Sequence, residues 1–213
     1  MHTLTQEQIS QMFAGSRVIA LDIETTGLKP ENSDIIELGV VEFVDGVETR
    51  RNSALYGGGS SPQRALEVHG ITDEERKGLK TFAEQAHFFQ KYIAAEIPDE
   101  RTRRGIKETI IVGHNVIDFD LPFICGIAKT AGHSLTARDG YVLVADTLKL
   151  ARKHLSAPDF KLETLCKVYK IEHGGHRGLG DALSSWHVLL TIMETTGVQH
   201  ISKLLKDKGR FTL

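Results

Sequence analysis

Hydrophobic residues along the chain occur either in short continuous runs, which predict buried strands, or at spacings of three and four, which predict amphipathic helices. The strand pattern occurs at 17–23, 35–44, 47–55, 109–112 and 142–145. The helical pattern occurs at 5–14, 81–95, 119–131, 147–155, 161–169 and 180–196, and a shorter helix is predicted to begin at Thr72. Because strands dominate early and helices surround the later strands, this order predicts an α/β fold with a central mixed five-stranded sheet flanked by helices.

The whole chain, 1–213, is predicted to form a single domain with a core at about 17–196. Residues 1–16 contain the N-terminal helix, and residues 197–213 form a basic helix or tail. The Gly- and Ser-rich segment 57–64 predicts a flexible loop. A length of 213 residues, with 40% hydrophobic and 25% charged residues, is ordinary for one globular α/β domain.

The charge balance excludes a strongly basic protein but not a nucleic-acid-binding one. The formal net charge is −2 and the pI is about 6.6. An acidic metal site can mask local basic patches in such totals. The polar segment 98–108 is one candidate patch, and it is either ordinary solvated charge or a contact to phosphate. Its basic residues are Arg101, Arg103, Arg104 and Lys107.

Cysteine usage and hydropathy predict a cytoplasmic protein. Cys125 and Cys166 both lie within apolar helical patterns, which predicts reduced core residues rather than a disulfide or a zinc site. The N-terminal residues lack the basic start and apolar block of a signal peptide. No apolar run reaches the length that spans a membrane.

The first candidate for chemistry is a pair of acidic residues, Asp22 and Glu24, at the end of an apolar run. A strand places side chains i and i+2 on the same face, so the two carboxylates should point the same way. At about 4 Å and an effective dielectric near 20, two like charges repel by roughly 4 kcal/mol. A hard divalent cation removes this repulsion. The alternative is a strand that simply ends in a polar turn.

Two further acidic residues stand where predicted helices begin. Asp120 follows a strand and a short polar segment, and Asp181 follows a glycine-rich segment that contains His176. Either acid alone is well explained as a favourable charge at a helix N-terminus. Together with Asp22 and Glu24, they indicate a carboxylate site assembled from three separate segments.

The three segments are DIETTGL, GHNVIDFDLPF and HRGLGDA. In their order and spacing they resemble the three motifs of DEDDh 3′–5′ exonucleases, the DnaQ-like group that includes proofreading subunits of bacterial replicative polymerases. EVHGIT at 67–72 is another stretch similar to the family, and the resemblance spans about 17–196. It implies an RNase H-like fold and a metal-dependent nuclease.

The resemblance also implies roles for individual residues. Asp22, Glu24, Asp120 and Asp181 would bind two divalent ions, Mg²⁺ or Mn²⁺, with Glu24 between them and Asp120 acting through water. Two metals can activate water and stabilise both the transition state and the leaving oxygen. His176 would be the general base, a role that suits an imidazole at neutral pH.

The second motif departs from many family members, which place its acid four residues after the asparagine. Here Asp120 follows Asn115 by five residues, and Asp118 follows it by three. A gap of five is similar to that in the exonuclease domains of family B DNA polymerases. The resemblance therefore favours Asp120 and leaves Asp118 as a solvated neighbour.

The spacing of the third motif separates its two functional residues. On one continuous helix, His176 and Asp181 would lie about 140° apart, so His176 is expected on the preceding loop. Several glycines in this segment allow movement, and we expect His176 to be mobile without substrate.

The remaining candidates would contact substrate, and each has a structural alternative. Thr25, Thr26 and Gly27 would hold the terminal 3′ hydroxyl and Leu28 would wedge between bases, unless they form only a glycine turn. His69 faces the substrate end or has a structural role, and Asn115 contacts the sugar-phosphate or fixes its loop. Phe119 stacks on a base or sugar, or belongs to the core.

These residues together predict a 3′–5′ exonuclease that acts on single-stranded ends and releases nucleoside monophosphates. DNA is the first choice of substrate, with a proofreading or repair role and a separate DNA polymerase as a partner. An exoribonuclease acting on RNA ends is one alternative. Another is a non-catalytic nucleic-acid-binding subunit of a polymerase assembly.

Overall fold

The computed structural model describes residues 2–94, 105–133, 142–205 and 210–211. Arg101, Arg103 and Arg104 of the predicted basic segment lie outside these ranges, as does part of the C-terminal tail. The helices and strands in chain order are α1 (Gln6–Met12), β1 (Ser16–Thr25), β2 (Ile35–Val44), β3 (Val47–Leu55), α2 (Gln63–His69), α3 (Phe82–Ala94), β4 (Glu108–Gly113), α4 (Asp120–Thr130), β5 (Val142–Asp146), α5 (Thr147–His154), α6 (Leu162–Tyr169), α7 (Gly178–Thr196), α8 (Ile201–Leu204) and β6 (Arg210–Phe211).

The central sheet is mixed, as predicted, and has the order β3-β2-β1-β4-β5-β6. Strands β1, β2 and β3 are antiparallel neighbours, whereas β1, β4 and β5 run parallel. The five predicted strands are all present. The two-residue strand β6 joins the edge of β5, in a region predicted only as a helix or tail.

Strand periodicity divides the core into two layers. Ile19, Leu21 and Ile23 of β1 face a cluster that includes residues of α3 and α4. Val18 and Ala20 face the opposite cluster, which includes residues of α1, α7 and α8. Because side chains alternate along a strand, residues 22 and 24 continue the α7 face. The fold therefore points the first acidic pair at the N-terminal end of α7.

Two local expectations were wrong. Residues 73–78 form turns rather than a helix, and Thr72 and Glu75 are hydrogen-bonded to each other. Helix α2 begins inside the segment predicted as a flexible loop. It starts after Pro62 and ends at Gly70, whose φ of 68° is the left-handed conformation that glycine favours.

Neither cysteine forms a disulfide, and Cys166 is buried, as predicted. Within the described ranges, no helix is long and apolar enough to cross a membrane. The cytoplasmic location expected from the sequence stays a prediction.

Candidate metal and nuclease site

The site begins where β1 passes beyond its parallel neighbour. The last β1–β4 pair joins Ala20 to Val112, while β1 continues beside β2 as far as Thr25. Asp22 and Glu24 therefore project from a strand that is held on one side only. Glu24 pairs in register with Glu37 of β2, which places like-charged residues directly opposite each other.

Helix α7 brings Asp181 to this pair. One carboxylate oxygen each from Asp22, Glu24 and Asp181 lies within 4.8 Å of the other two. The approach is close because Gly178, at the start of α7, packs on Gly39 of β2. A Cβ at Gly39 would lie 2.0 Å from the carbonyl carbon of Gly178. The sequence prediction that these three acids share one site is consistent with this geometry.

Asp120 enters the site from the opposite layer. It is the first residue of α4, is buried, and accepts a hydrogen bond from the backbone N–H of Ile23 at 3.2 Å. Ile23 lies beyond the last residue pair between β1 and β4, so its N–H takes a side-chain acceptor. Asp120 is thus bound to the backbone of the residue between Asp22 and Glu24. It does not belong to the group of three acids whose oxygens lie within 4.8 Å of one another.

Asp118 lies elsewhere. Its side chain is 60% exposed and pairs with Lys149 at 3.0 Å. An exposed pair of this kind contributes little to stability. The geometry therefore agrees with the expectation that Asp118 is a solvated neighbour.

The clustered carboxyls have raised pKa values. Burial is the largest cause for Asp22, followed by the charges of Asp120 and Glu24. Burial, then Asp181 and Glu37, raises the pKa of Glu24 to about 8. Burial raises the pKa of Asp120 to about 7. Burial also raises the pKa of Asp181, although His173 and His176 act in the opposite direction. When ionised, the cluster would therefore carry negative charge that nearby cationic side chains balance only in part.

This imbalance gives a first prediction, for the metal-free protein. A carboxyl whose pKa is higher in the folded state stabilises the fold below its unfolded pKa, and this contribution is lost as pH rises through the folded pKa. For Glu24 the window runs from about 4.5 to about 8. We expect the free energy of unfolding of Glu24→Gln to match that of wild type near pH 5. At pH 9 it should exceed the wild-type value by up to about 4 kcal/mol.

Urea unfolding in a chelator at both pH values measures this difference. Glu48→Gln, on the exposed strand β3, is the control and should show no such gain. If the difference in the free energy of unfolding between Glu24→Gln and wild type stays constant from pH 5 to pH 9, the prediction is contradicted.

The loop before α7 holds two histidines beside Asp181. His176 lies on this loop, as expected, is exposed, and has a φ of 54°. Its Nδ1 is 3.9 Å from Asp181 Oδ2, while His173 Nε2 is 3.3 Å from Asp181 Oδ1. His173 Nδ1 accepts the N–H of Gly175, which fixes that ring. The closeness of His173 to Asp181 was not predicted from the sequence.

Glycine is needed in this loop mainly for close packing, whereas the sequence suggested that it allows movement. A Cβ at Gly174 would lie 2.1 Å from the Cα of Gly180, so these two residues pack backbone against backbone. Gly175 alone among them needs a left-handed conformation, with φ of 73°. The mobility of His176 stays a prediction.

Two of the proposed substrate residues use their hydroxyls within their own loop. Thr25 Oγ1 donates to the carbonyl of Gly27 at 2.6 Å, and Thr26 Oγ1 accepts from the N–H of Asp34 at 2.9 Å. Leu28 is 84% exposed beside the acids in sequence, and its side chain is free to meet a ligand. The structure therefore favours Leu28 over the two hydroxyls as a direct contact.

The other three candidates have clear structural roles. His69 is 4% exposed, and its Nδ1 accepts the N–H of Ile71. Asn115 has a φ of 70°, and its carbonyl accepts from Asp118 and Phe119 in the turn that leads into α4. Phe119 is partly buried against the core, with its ring 4.9 Å from that of Phe123.

A cleft of about 500 Å³ opens beside the acids. Its lining includes both loop histidines and Asp181, and also the cationic residues Arg152 and Lys161. His114 closes one wall, because it bonds Thr147 and the carbonyl of Phe160. This cleft joins the acidic cluster to cationic side chains.

The donor set fits hard divalent cations. Carboxylate oxygens of Asp22, Glu24 and Asp181 converge, and burial together with their mutual repulsion raises the pKa values of Asp22 and Glu24. Oxygen ligands suit Mg²⁺ and Mn²⁺. Among the described residues, the group of His, Cys, Asp and Glu side chains whose atoms converge is this set of three carboxylates, so a structural zinc site built on His173 and His176 is not supported.

Comparison with known proteins agrees with this geometry. The RNase T family model, described as an exonuclease, matches residues 19–189. The DNA polymerase III subunit epsilon of Buchnera aphidicola (from Acyrthosiphon pisum) is 33% identical over 180 residues, covering 81% of this chain and 69% of that protein. The Escherichia coli subunit epsilon is 32% identical over 195 residues, covering 86% and 73%.

Solved structures of Exonuclease I have the same fold. The apo structure superposes with a TM-score of 0.69 at 17% identity, covering 84% of this chain and 42% of that one. The E. coli enzyme in complex with a dA16 oligonucleotide gives a TM-score of 0.67 at 17% identity, covering 84% and 41%. The chain thus spans about two fifths of the length of Exonuclease I, and at this identity the likeness shows the fold alone.

Proposed function

The chain belongs to the RNase T exonuclease family, and from that premise we propose that it is a 3′–5′ exonuclease acting on single-stranded DNA. It would hydrolyse phosphodiester bonds from the 3′ end and release nucleoside monophosphates. The observation that carries this proposal is the convergence of Asp22, Glu24 and Asp181 within 4.8 Å, beside an exposed histidine.

The four acids would hold two divalent ions, Mg²⁺ or Mn²⁺. Asp22, Glu24 and Asp181 supply oxygens directly, and Asp120 supports the site from the α4 side, where the N–H of Ile23 fixes its carboxylate. When bound, such ions supply an activated water and stabilise charge on the transferring phosphate. The unbalanced charge of the cluster is the physical reason to expect metal binding.

His176 would take the proton from the attacking water. It is exposed, close to Asp181, and on a loop rather than a helix, so its ring can reach a bound phosphodiester. Its Nδ1 lies 3.9 Å from Asp181 Oδ2, which places the imidazole at the edge of the acidic cluster. An accessible imidazole beside a carboxylate is what proton abstraction near neutral pH requires.

The 3′ end would enter between the acids and the loop that follows β1, which contains Leu28. Leu28, exposed directly after the acidic pair, is placed to pack on the terminal base. Arg152 and Lys161 in the neighbouring cleft are placed to meet phosphates of the strand. An unpaired end fits this arrangement best, because a wedge and a narrow acidic site both need a base that is out of the duplex.

DNA is the preferred substrate because the relatives reported above are named as DNA polymerase subunits. The same names support a proofreading role with a DNA polymerase as a separate partner. RNA ends stay the alternative, because a fold does not set its substrate. A non-catalytic nucleic-acid-binding subunit is less well supported, since the acids and His176 are all present.

The proposal is tested by incubating the purified protein with 5′-labelled single-stranded DNA or RNA, in Mg²⁺, Mn²⁺ or a chelator. We expect a ladder of shortened DNA that needs metal. Faster shortening of RNA would indicate the exoribonuclease. Binding without cleavage in any metal would favour the non-catalytic subunit.

A second prediction concerns His176. We expect His176→Ala to lower kcat about 10²- to 10⁴-fold, the usual contribution of a general base. KM for DNA should change little, because the side chain is not needed to hold the strand. His173→Ala is the matched comparison and should lower kcat less. His173 also lies near Asp181, but its side chain is less exposed than that of His176 and is less accessible to a water molecule at the substrate. An equal loss in both variants would contradict the assignment.

A further inference from the structure

A buried glutamate next to the acidic cluster is not part of the metal site. Glu37 is 1% exposed and pairs in register with Glu24. It accepts hydrogen bonds from Ser53 at 2.7 Å and from the backbone N–H of Gly178 at 3.1 Å. These bonds, with the Arg177 guanidinium, lower the pKa of Glu37 against the opposing effect of burial. Both oxygens of Glu37 thus accept hydrogen bonds, which are surroundings that suit an ionised carboxylate.

Arg177 connects this charge to the third motif. Its Nε and Nη2 each lie 3.0 Å from a different oxygen of Glu37, which is the two-point geometry of a strong arginine–carboxylate pair. Arg177 directly follows His176 and is the N-cap residue of α7. The pair thus ties the residue after His176, and the first N–H of α7, to strand β2.

The fold itself does not require a charge at Glu37. Placing a carboxylate in the core costs desolvation energy, and apolar residues of similar size are often as stable. The neighbouring residues on the same face of β2, Val41 and Phe43, are apolar. A charged residue where β2 meets the His176 loop needs another explanation. Among the described residues, its side chain is hydrogen-bonded only to Ser53 of β3 and to Arg177 and Gly178.

We propose that the Glu37–Arg177 pair is a positioning device that holds the His176 loop over the acidic cluster. This inference rests on the proposed function, in which His176 is the general base. The loop is held at one end by the pairing of Arg177 with Glu37, and near its other end His173 Nε2 lies 3.3 Å from Asp181 Oδ1. His176, with its left-handed backbone, lies between His173 and Arg177.

The chain offers a matched control at the other end of the same two strands. Arg17 of β1 pairs with Glu42 of β2 at 2.7 Å, and both residues are largely buried. Arg17→Gln removes a comparable ion pair between the sheet strands and leaves the acidic site untouched. It reports what loss of such a pair does to stability alone.

The first test is independent of activity. Amide hydrogen exchange is measured for Arg177→Gln, Arg177→Lys and Arg17→Gln. We expect exchange in residues 173–180 to rise at least about tenfold in Arg177→Gln, less in Arg177→Lys, and not in Arg17→Gln. Unchanged exchange in Arg177→Gln would overturn the proposal, whether or not the protein is a nuclease.

The second test is a kinetic cycle on 5′-labelled single-stranded DNA in Mn²⁺. We expect Arg177→Gln to lower kcat about 10- to 100-fold with KM nearly unchanged, because a displacement of about 1 Å is enough for such a loss. Arg177→Lys should recover part of it, and Arg17→Gln should keep wild-type kcat. The decisive variant combines Arg177→Gln with His176→Ala.

If the pair acts through His176, the double variant is no slower than His176→Ala alone. Multiplicative losses would overturn the proposal and assign Arg177 a separate role. A wild-type protein with no nuclease activity would refute the proposed function, and the exchange experiment would still decide whether the pair holds the loop.

Discussion

Asp22→Asn is expected to abolish metal-dependent hydrolysis and, at the same time, to make the metal-free protein more stable. Asp22 is partly buried near Asp120 and Glu24, and desolvation together with these charges raises its pKa, so its ionisation opposes folding. Asparagine removes the charge and keeps the shape. At pH 8 we therefore expect the free energy of unfolding of the metal-free variant to exceed that of wild type.

The loss of function should be large because the same charge holds the metal ions. We expect kcat to fall by about 10³-fold or more, comparable to removal of a main transition-state stabiliser. Mn²⁺ should raise the melting temperature of wild type by linkage, and this shift should shrink in Asp22→Asn. Melting curves with Mn²⁺ and with chelator measure both effects. A variant that is less stable without metal, or that keeps its full Mn²⁺ shift, would contradict this interpretation.

The second large effect separates two neighbouring aspartates. Asp120→Asn should lower turnover at least about 10²-fold, because the Asp120 carboxylate is buried at the site and bonded to Ile23. Asparagine can still accept that N–H through its carbonyl oxygen, so the fold should persist. Asp118→Asn should stay within about twofold of wild type, since its only described partner is Lys149 at the surface.

Both variants are measured with the same labelled DNA, and their melting temperatures check that each is folded. Asp118→Asn is the control for Asp120→Asn, because the two aspartates are only two residues apart and undergo the same substitution. If Asp118→Asn abolishes turnover and Asp120→Asn does not, the assignment of the second motif is wrong.

The acidic site was predictable because it depends on strand period and helix termini. The period of two places Asp22 and Glu24 on the face that α7 covers. The position of Asp181 follows from the start of a strongly periodic helix. Choosing between Asp118 and Asp120 needed the resemblance to a family, because Asn115 adopts a left-handed turn that spacing alone does not reveal.

What sequence reasoning missed depends on contacts between distant segments. Glu37 lies inside an apolar strand pattern, and only its partner Arg177, 140 residues away, explains it. Helix α2 was hidden because its first turn lies in a segment rich in Gly, Ser and Pro. Thr25 and Thr26 had hydroxyls that suited a substrate, yet the loop itself uses them. In these cases the sequence indicated the chemical character of a residue but not which distant residue it contacts.

The most direct test of the central claim is anomalous scattering from crystals of the protein soaked in Mn²⁺. We predict manganese peaks in bonding contact with carboxylate oxygens of Asp22, Glu24 and Asp181, and loss of those peaks in Asp22→Asn. No peak at these acids, or a peak held only by His173 and His176, would contradict a carboxylate metal site and the nuclease proposed from it.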